Sequence, residues 1–322
     1  MTLPQLEADV FLTDGGIETT LIFDDGFDLP DFAAFPLLDR MDGRAALARY
    51  FTSYLDVARR DGVGIVMETP TWRASADWGD RLGYDADALD RVNRDAVALV
   101  RDIAAPFAGP ATPVVVSGCV GPRGDGYAPG ALMSWPEARD YHRAQVHSLA
   151  AAGADLVTAV TMLDPGEAVG IVDAAREAGL PVVVSFTVET DGALPTGQTL
   201  GAAVAEVDEA TGAAPAYYMV NCAHPAHFAH VLDPDAAWTA RLGGLRANAS
   251  RASHAELDAA TELDAGDPEE LAGLYADLRA AHPGLRVLGG CCGTSHVHVG
   301  AISARQASLR APSTGRDRAG GS

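Results

Sequence analysis

The sequence predicts a single-domain (β/α)8 TIM barrel, and three observations support that prediction. Short apolar runs typical of buried strands alternate with amphipathic stretches typical of helices along nearly the whole chain. The alternation occurs eight times in about 300 residues, which favours a closed barrel over an open doubly wound sheet. No G-x-G-x-x-G motif follows the first strand, although a dinucleotide-binding sheet would need one. We therefore expect one barrel domain over residues 1–310 and a disordered tail over residues 311–322.

The predicted strands are apolar segments, and several lack the alternation of a half-exposed strand, as expected of parallel strands covered on both faces. The Val-Val-Val runs at residues 114–116 and 182–184 show this most clearly. In chain order the eight predicted strands are residues 10–14, 64–68, 113–119, 155–161, 181–187, 216–222, 242–248 and 286–292. Polar, cysteine and glycine residues collect at their carboxyl ends, which is the end where a (β/α)8 barrel builds its site.

The amphipathic segments between the strands predict the helices that cover the barrel. Five such helices are predicted at residues 44–59, 88–103, 136–152, 166–178 and 268–281. A glycine follows several of them, as at Gly62, Gly153 and Gly179. Glycine is expected there because it adopts the left-handed conformation that ends many helices without a steric cost.

The composition excludes several classes of function. A formal net charge of −21 argues against nucleic acid as a partner, since binding it requires clustered cations. The chain has no lysine, which excludes Schiff-base aldolases, pyridoxal-phosphate enzymes and P-loop nucleotide hydrolases. No run of 18 apolar residues is present, so no membrane span is expected. The N-terminus shows no signal peptide, and we expect a cytoplasmic protein whose cysteines are reduced.

Three of the four cysteines lie at the carboxyl ends of two predicted strands. Cys222 ends the sixth strand, and the vicinal pair Cys291 and Cys292, with glycines on both sides, ends the eighth. Three thiolates with a fourth position left open are typical of a catalytic Zn²⁺ site. Buried cysteines also serve as small hydrophobic residues, but the vicinal pair favours the metal interpretation. Cys119 is expected to be a buried structural thiol, because a fourth thiolate would close the site.

Five segments carry a resemblance to a known family. They are Asp14-Gly-Gly-Ile-Glu-Thr-Thr-Leu21, Trp72-Arg-Ala-Ser75, Gly118-Cys-Val-Gly-Pro122, Asn221-Cys222 and Gly289-Gly-Cys-Cys-Gly-Thr294. On these segments the chain resembles the zinc-dependent homocysteine S-methyltransferases over residues 10–302. The two cysteine segments are the most specific part of the resemblance, since glycine-rich turns alone are common.

The resemblance implies a (β/α)8 barrel whose zinc ion is held by Cys222, Cys291 and Cys292. The thiol of homocysteine would take the fourth position and receive a methyl group from S-methylmethionine or S-adenosylmethionine, giving methionine. The chemistry is physically sensible, because a free alkyl thiol has a pKa of about 8.5 and only its thiolate is a good nucleophile. Binding to zinc deprotonates a thiol outright.

The resemblance also implies a set of substrate contacts. Asp14 would hold the ammonium group of the amino acid, although an ordinary turn before Gly15 and Gly16 explains the same pattern. The backbone N–H groups of those two glycines would receive a carboxylate. The further expected contacts are Glu68, Thr187, Asn221 and Asn248. The family carries a substrate-binding glutamate after the fourth strand, where this chain has Val160. Either Glu68 replaces that carboxylate, or the substrate is not an α-amino acid thiol.

Two alternatives remain open at this point. The same methyl transfer could act on a different thiol or a selenol, or the barrel could bind zinc without turnover. A metal site closed by Cys119 would favour the non-catalytic alternative, whereas an open position would favour the enzyme. The partners expected are a small thiol acceptor and a small onium donor. The oligomeric state and the identity of the donor are left open.

Overall fold

Eight parallel strands, hydrogen-bonded in chain order, close into a barrel in the computed structural model, which describes residues 3–310. The strands are β1 (Phe11–Thr13), β2 (Gly64–Glu68), β3 (Val114–Val120), β4 (Leu156–Met162), β5 (Val182–Phe186), β6 (Tyr218–Asn221), β7 (Leu242–Ala247) and β8 (Val287–Gly290). The pairing of β1 with β8 closes the ring. The predicted barrel and its eight strands are confirmed. The tail predicted at 311–322 lies outside the described residues, and the domain bounds 1–310 stay a prediction.

Several strands end earlier than predicted on the side where the site is built. The sixth was expected to reach Cys222 and the eighth to reach Cys292, but their ladders stop at Asn221 and Gly290. Cys222 has a positive φ of 52°, a left-handed conformation far from the extended backbone of a regular strand. The three cysteines therefore lie on the turns that follow β6 and β8, just beyond the barrel wall.

Helices surround the barrel and alternate with the strands. They are α1 (Ile17–Thr19), α2 (Met41–Asp61), α3 (Ala76–Leu82), α4 (Ala86–Ala104), α5 (Trp135–Ala151), α6 (Pro165–Glu177), α7 (Leu200–Thr211), α8 (Pro225–Phe228), α9 (His254–Asp258), α10 (Pro268–Ala281) and α11 (His296–Arg310). The five helices named from the sequence are confirmed as α2, α4, α5, α6 and α10. Gly62 ends α2 in the left-handed conformation at φ 61°, as its position predicted. No helix within residues 3–310 is long and apolar enough to cross a membrane.

Short helical turns complete the connections. Five are 3-10 turns and one is a π turn: Pro4–Leu6, Pro30–Phe32, Phe35–Asp39, Ala229–Val231 and Ala237–Arg241, with the π turn at Thr20–Asp24.

Strand side chains alternate between the helices outside and the barrel interior. Leu12, Met67 and Val220 point outward and join the main hydrophobic core. The interior at the amino ends of the strands holds a second apolar cluster, which we call the apolar layer: Leu3, Phe11, Val66, Val115, Leu156, Val183, Tyr217, Met219 and Val287. Nearer the carboxyl ends the buried interior side chains are polar, and we call this set the polar layer: Thr13, Glu68, Ser117, Thr158, Ser185, Asn221 and Arg246. The polar layer lies directly beneath the mouth of the barrel.

Candidate functional site

A cavity of about 690 Å³ opens at the carboxyl ends of the strands. All four cysteines line it, with Cys119 on one wall and Cys222, Cys291 and Cys292 on the other strands and turns. Cavities of this size bury a small molecule, and this end of a (β/α)8 barrel is where active sites are found. The sequence prediction of a site at the carboxyl ends therefore coincides with this cavity.

The sulfur atoms of Cys222, Cys291 and Cys292 lie within 4.8 Å of one another. Within residues 3–310 they are the only group of three His, Cys, Asp or Glu ligand atoms close enough to share one metal ion. Cys222 and Cys291 are joined by a disulfide with their Cα atoms 5.4 Å apart, and Cys292 is a free thiol. In the reduced protein the same three side chains present three thiols to one point.

Several hydrogen bonds hold the turn that carries Cys222. A left-handed conformation is strained in a residue other than glycine, and it persists only where the surroundings fix it. The carbonyl oxygen of Cys222 accepts hydrogen bonds from Asn248 Nδ2 at 3.0 Å and from His254 Nε2 at 2.8 Å. Its N–H donates to the carbonyl of Arg246 at 3.1 Å. These contacts aim the Cys222 side chain into the cavity.

Asn221 fixes a second strained residue at the mouth. Thr161, at the end of β4, has a φ of 63° and lines the cavity. Asn221 Oδ1 accepts from the Thr161 N–H at 3.0 Å and from Ser185 Oγ at 2.6 Å, and Asn221 Nδ2 donates to Thr161 Oγ1 at 2.8 Å. The same Nδ2 lies 4.0 Å from Cys291 Sγ. One amide thus ties together three strand ends beside the thiols.

A tyrosine and a histidine cover Cys292. Tyr127 Oη lies 3.6 Å from Cys292 Sγ, and its ring stacks on His254 with centres 4.1 Å apart and planes 11° from parallel. His254 Nδ1 is 3.1 Å from Glu189 Oε1. Burial raises the pKa of Cys292 to about 11, so without a bound cation its thiol stays protonated at neutral pH.

The donor set fits a zinc ion with one open position. Cys sulfur is a ligand that zinc favours, and three such ligands leave a fourth place for a substrate in a tetrahedral site. Cys119 lines the cavity but is not part of the sulfur cluster, as the sequence predicted. Burial raises the pKa of the Cys119 thiol well above its ordinary value, which is expected of a structural cysteine. The residues present are therefore suited to a metal that binds one further ligand.

Arg246 lies at the base of the cavity, and the sequence analysis missed it. Its Nη2 donates to Asp14 Oδ1 at 2.6 Å, its Nε donates to the carbonyl of Gly290 at 3.2 Å, and its Nη1 lies 3.5 Å from Glu68 Oε1. The side chains of Asp14, Glu68 and Arg246 are 2%, 6% and 7% exposed. A guanidinium with two carboxylates therefore forms a buried charged cluster that faces the cavity.

Burial changes the protonation of the carboxylates at this end of the barrel. It raises the pKa of Glu68 to about 7, although the nearby Arg246 opposes the rise. Burial also raises the pKa of Asp14, and the coulombic attraction and hydrogen bond of Arg246 again oppose it. Glu18, half-buried on the cavity wall, has its pKa raised to about 7 for the same reason. At neutral pH, Glu18 and Glu68 are consequently protonated in a larger fraction of molecules than ordinary carboxylates are.

The lining of the cavity as a whole is acidic and aromatic. Its lining includes eight carboxyl side chains and three arginines: Asp14, Glu18, Asp31, Glu68, Asp125, Asp258, Glu262 and Asp264, against Arg73, Arg81 and Arg246. Trp72 and Trp78 lie on the same lining, and the Arg73 guanidinium is 4.3 Å and 3.6 Å from their ring centres. The excess of negative charge attracts a cation, and the indole rings offer faces on which a cation packs.

The structure brings most of the predicted site residues to one place. Asp14, Gly15, Gly16 and Glu68 line the cavity together with the three thiols. A Cβ atom on Gly16 would lie 2.6 Å from the carbonyl oxygen of Cys291, so only glycine allows this approach of the two turns.

The three remaining predicted contacts lie behind the cavity wall. Thr187 Oγ1 is 3.3 Å from His254 Nε2, while Asn221 and Asn248 bind the turns described above. They hold the residues that line the cavity, and a direct contact with substrate stays a prediction for each of them. The structure also adds residues that the sequence analysis did not select, namely Glu18, Tyr127, Thr161 and Arg246. Only Arg246 had a usable signal, because it is a charged residue inside an apolar strand.

The chain is similar to known proteins over nearly its whole length. The sequence profile described as homocysteine S-methyltransferase matches residues 11–306. Crystal structures of the homocysteine methyltransferase MmuM from Escherichia coli are similar to the chain at 22% sequence identity, covering 93% of this chain and 97% of that one. The TM-score is 0.75 for its oxidized form, 0.74 for its metallated form and 0.66 for its apo form. No curated protein matches the chain.

Proposed function

The chain belongs to the homocysteine S-methyltransferase family, and we propose that it moves a methyl group from a small onium donor to an acceptor thiol at a zinc site. The observation that carries the proposal is the cluster of three cysteine sulfurs within 4.8 Å at the wall of the mouth cavity. Homocysteine, the acceptor that the family's description names, is the first candidate and would give methionine. Methyl transfer to a different thiol is the second candidate, because Val160 and Arg246 alter the part of the site expected to hold the amino group.

Cys222, Cys291 and Cys292 are the residues that would hold the zinc ion. When bound, zinc supplies the positive charge that keeps an acceptor thiol deprotonated at neutral pH. The chain supplies the rest of the arrangement. Asn221, Asn248 and His254 fix the turns that carry the thiols, and the Tyr127 hydroxyl approaches Cys292.

The acidic and aromatic lining supports an onium donor. A sulfonium or quaternary ammonium ion carries a delocalised positive charge that aromatic faces and carboxylates attract. The excess of carboxyl groups over arginines would raise the local concentration of such a donor. Transfer of the methyl group to a thiolate neutralises both partners, so the products are a thioether and the neutral donor remnant. These products no longer benefit from the negative lining, which favours their release.

The proposal is tested first by metal content and then by transfer. We expect the reduced protein, reconstituted with zinc, to hold about one zinc per chain, as a three-cysteine catalytic site requires. Replacing zinc with cobalt gives a site whose thiolate spectrum should change when an acceptor thiol is added, with release of about one proton per thiol bound. The Cys119→Ala variant is the matched control, because it removes a cavity cysteine outside the sulfur cluster.

The outcomes separate the parts of the proposal. Zinc binding with a spectral response to homocysteine, followed by methylation from S-methylmethionine or S-adenosylmethionine, would support the first candidate. A metal site that ignores homocysteine but responds to other thiols would support the second. A reduced chain that takes up no metal, or whose metal survives the loss of Cys292, would contradict the proposal.

A further inference from the structure

The environment of Asp14 differs from what the binding of an amino acid requires. The resemblance implies that Asp14 holds the ammonium group of the acceptor. Here Asp14 Oδ1 already accepts a 2.6 Å hydrogen bond from Arg246 Nη2, within a pair of side chains that are both more than nine-tenths buried. The guanidinium is itself held in place by the carbonyl oxygens of Gly15 and Gly290. The Arg246 guanidinium thus lies beside the Asp14 carboxylate, which the resemblance assigns to the ammonium group of the substrate.

The other two positions that could bind an ammonium are also changed. Val160, at the position of the family's glutamate, is an apolar side chain on the cavity wall. Glu68, the carboxylate that could have replaced it, has its Oε1 atom 3.5 Å from Arg246 Nη1. An incoming ammonium would therefore meet a methyl surface on one side and a guanidinium between the two carboxylates on the other. The guanidinium would repel the ammonium, and such repulsion between like charges is strong inside a buried site.

Arg246 is paired with the second carboxylate as well as with Asp14. Its Nη1 atom is buried and makes no hydrogen bond to any of the described residues, but it lies 3.5 Å from Glu68 Oε1, so its nearest partner is that carboxylate. The opposite charges therefore compensate one another inside the buried site. Neither Asp14 nor Glu68 is left free for an ammonium, so the site suits an acceptor without an amino group better than an ammonium-bearing one.

We propose that Arg246 takes the place of the substrate's ammonium group, so that the acceptor is a thiol without an amino group. This inference rests on the proposed methyl transfer and specifies its acceptor class. The reaction keeps its balance: the acceptor sulfur forms a bond to the methyl carbon, the donor's bond to that carbon breaks, and the acceptor's thiol proton goes to solvent. Arg246 acts as a specificity-determining residue, because it occupies the two carboxylates that an ammonium group would need.

Two thiols that differ only in the amino group test the inference. They are homocysteine and 4-mercaptobutanoate, which share the thiol, the carbon chain and the carboxylate. With the zinc-loaded wild-type protein we expect kcat/KM for 4-mercaptobutanoate to exceed that for homocysteine by about tenfold or more, the ratio set by one unfavourable charge contact. Calorimetric titration of each thiol into the donor-free protein should show the same order of affinity. Equal or better use of homocysteine would overturn the inference while leaving the proposed methyl transfer in place.

A variant pair makes the test specific to Arg246. In Arg246→Gln the ion pair with Asp14 is lost, and we expect the preference to shift towards homocysteine by about tenfold or more. Arg241→Gln is the matched control, because it removes another partly buried arginine that pairs with Asp208 at 2.8 Å and does not line the cavity. An unchanged ratio of the two thiols in Arg246→Gln would overturn the inference.

Two further outcomes are informative. If Arg246→Gln does not fold, the comparison of the two thiols on the wild-type protein decides alone. Glu18 is the remaining carboxylate near the base of the cavity, and Glu18→Gln checks whether it binds an ammonium instead. A loss of homocysteine use in that variant, together with a wild-type preference for homocysteine, would assign the amino group to Glu18 and overturn the role of Arg246. Absence of binding by both thiols would contradict the methyl transfer itself.

Discussion

The two ends of the barrel interior are built from the same strands but have opposite character. Moving two residues along a strand keeps a side chain on the same face. On β1, β2, β3, β4, β5 and β6 this step leads from the apolar layer to the polar layer, in the pairs Phe11 and Thr13, Val66 and Glu68, Val115 and Ser117, Leu156 and Thr158, Val183 and Ser185, and Met219 and Asn221. The change occurs at one level around the barrel.

The two layers differ in their contribution: the apolar layer stabilises the fold, and the polar layer supports the site at the mouth. The apolar layer releases water from large side chains and needs no partners, so it contributes directly to folding. The polar layer buries the Glu68 carboxylate and the Arg246 guanidinium, with the buried Asp14 carboxylate beside them, which costs free energy unless each charge is paired. Substitutions in the apolar layer should therefore lower stability and leave the metal site intact. Substitutions at the mouth should impair metal binding and change stability little.

The strongest test of this separation removes one thiol. We expect Cys292→Ala to reduce zinc binding from about one ion per chain to near zero, because two cysteines do not complete a catalytic zinc site. Methyl transfer should fall to background, whereas the thermal unfolding of the metal-free protein should change little. Metal analysis and thermal unfolding of the variant and of Cys119→Ala check this. Retained zinc, or collapse of the fold, would break the distinction between the two ends.

The opposite test is made in the apolar layer. Phe11 is fully buried, and its ring packs against Gly64, where a Cβ atom would lie 2.1 Å from the ring. We expect Phe11→Ala to lower the free energy of unfolding by about 3–5 kcal/mol, the usual cost of deleting a buried aromatic ring. The zinc content of the folded protein should be unchanged. Denaturant unfolding measures the loss, with Met41→Ala, at a side chain that is 91% exposed, as the control.

The architecture could be predicted from the sequence because its signals are local. Eight apolar runs and the glycines that end helices specify the barrel, and barrel geometry brings the ends of β6 and β8 to one mouth. This is why the sequence could place Cys222, Cys291 and Cys292 near one another, where the structure has them. The end of β6 was predicted too late because Cys222 adopts a left-handed backbone conformation, which the identity of its side chain does not indicate.

The charged cluster could not be predicted in the same way because its contacts are distant in sequence. Arg246 and Asp14 are 232 residues apart, and Tyr127 and Cys292 are 165 residues apart. Alternation along β7 does place Arg246 on the same face as other buried interior residues, so a charge there indicates a buried ion pair. Which carboxylate pairs with the guanidinium depends on how the closed barrel brings the ends of β1, β2 and β7 together, and the sequence pattern alone does not specify this.

The pH dependence of stability gives a smaller test at the mouth. Glu18 has a pKa of about 7 in the folded protein against an ordinary value of 4.5, so the folded state holds its proton more tightly. The stabilisation is complete below pH 4.5 and is lost as the pH rises towards 7. Such a rise corresponds to at most about 3 kcal/mol, and partial exposure reduces it to roughly 1–2 kcal/mol. Glu18→Gln should lack this loss.

Denaturant unfolding between pH 5 and pH 8 checks the Glu18 prediction. The wild-type free energy of unfolding should fall relative to that of Glu18→Gln across this interval. Glu262→Gln, which changes an exposed carboxyl on the same cavity rim, should follow the wild type. Parallel curves for the wild type and Glu18→Gln would show that burial at the mouth carries no such electrostatic cost.

The smallest expected effect concerns the Tyr127 hydroxyl. It tests whether residues other than the three cysteines contribute to zinc affinity. Tyr127→Phe keeps the ring stacked on His254 and removes only the oxygen that lies 3.6 Å from Cys292 Sγ. Since one hydrogen bond contributes about 1 kcal/mol, we expect about a fivefold loss of zinc affinity with little change in thermal stability. A chelator competition measures the affinity, and Tyr141→Phe, whose hydroxyl contacts Ser75 at 3.0 Å, is the control. If both variants bind zinc as the wild type does, the three cysteines alone determine the affinity.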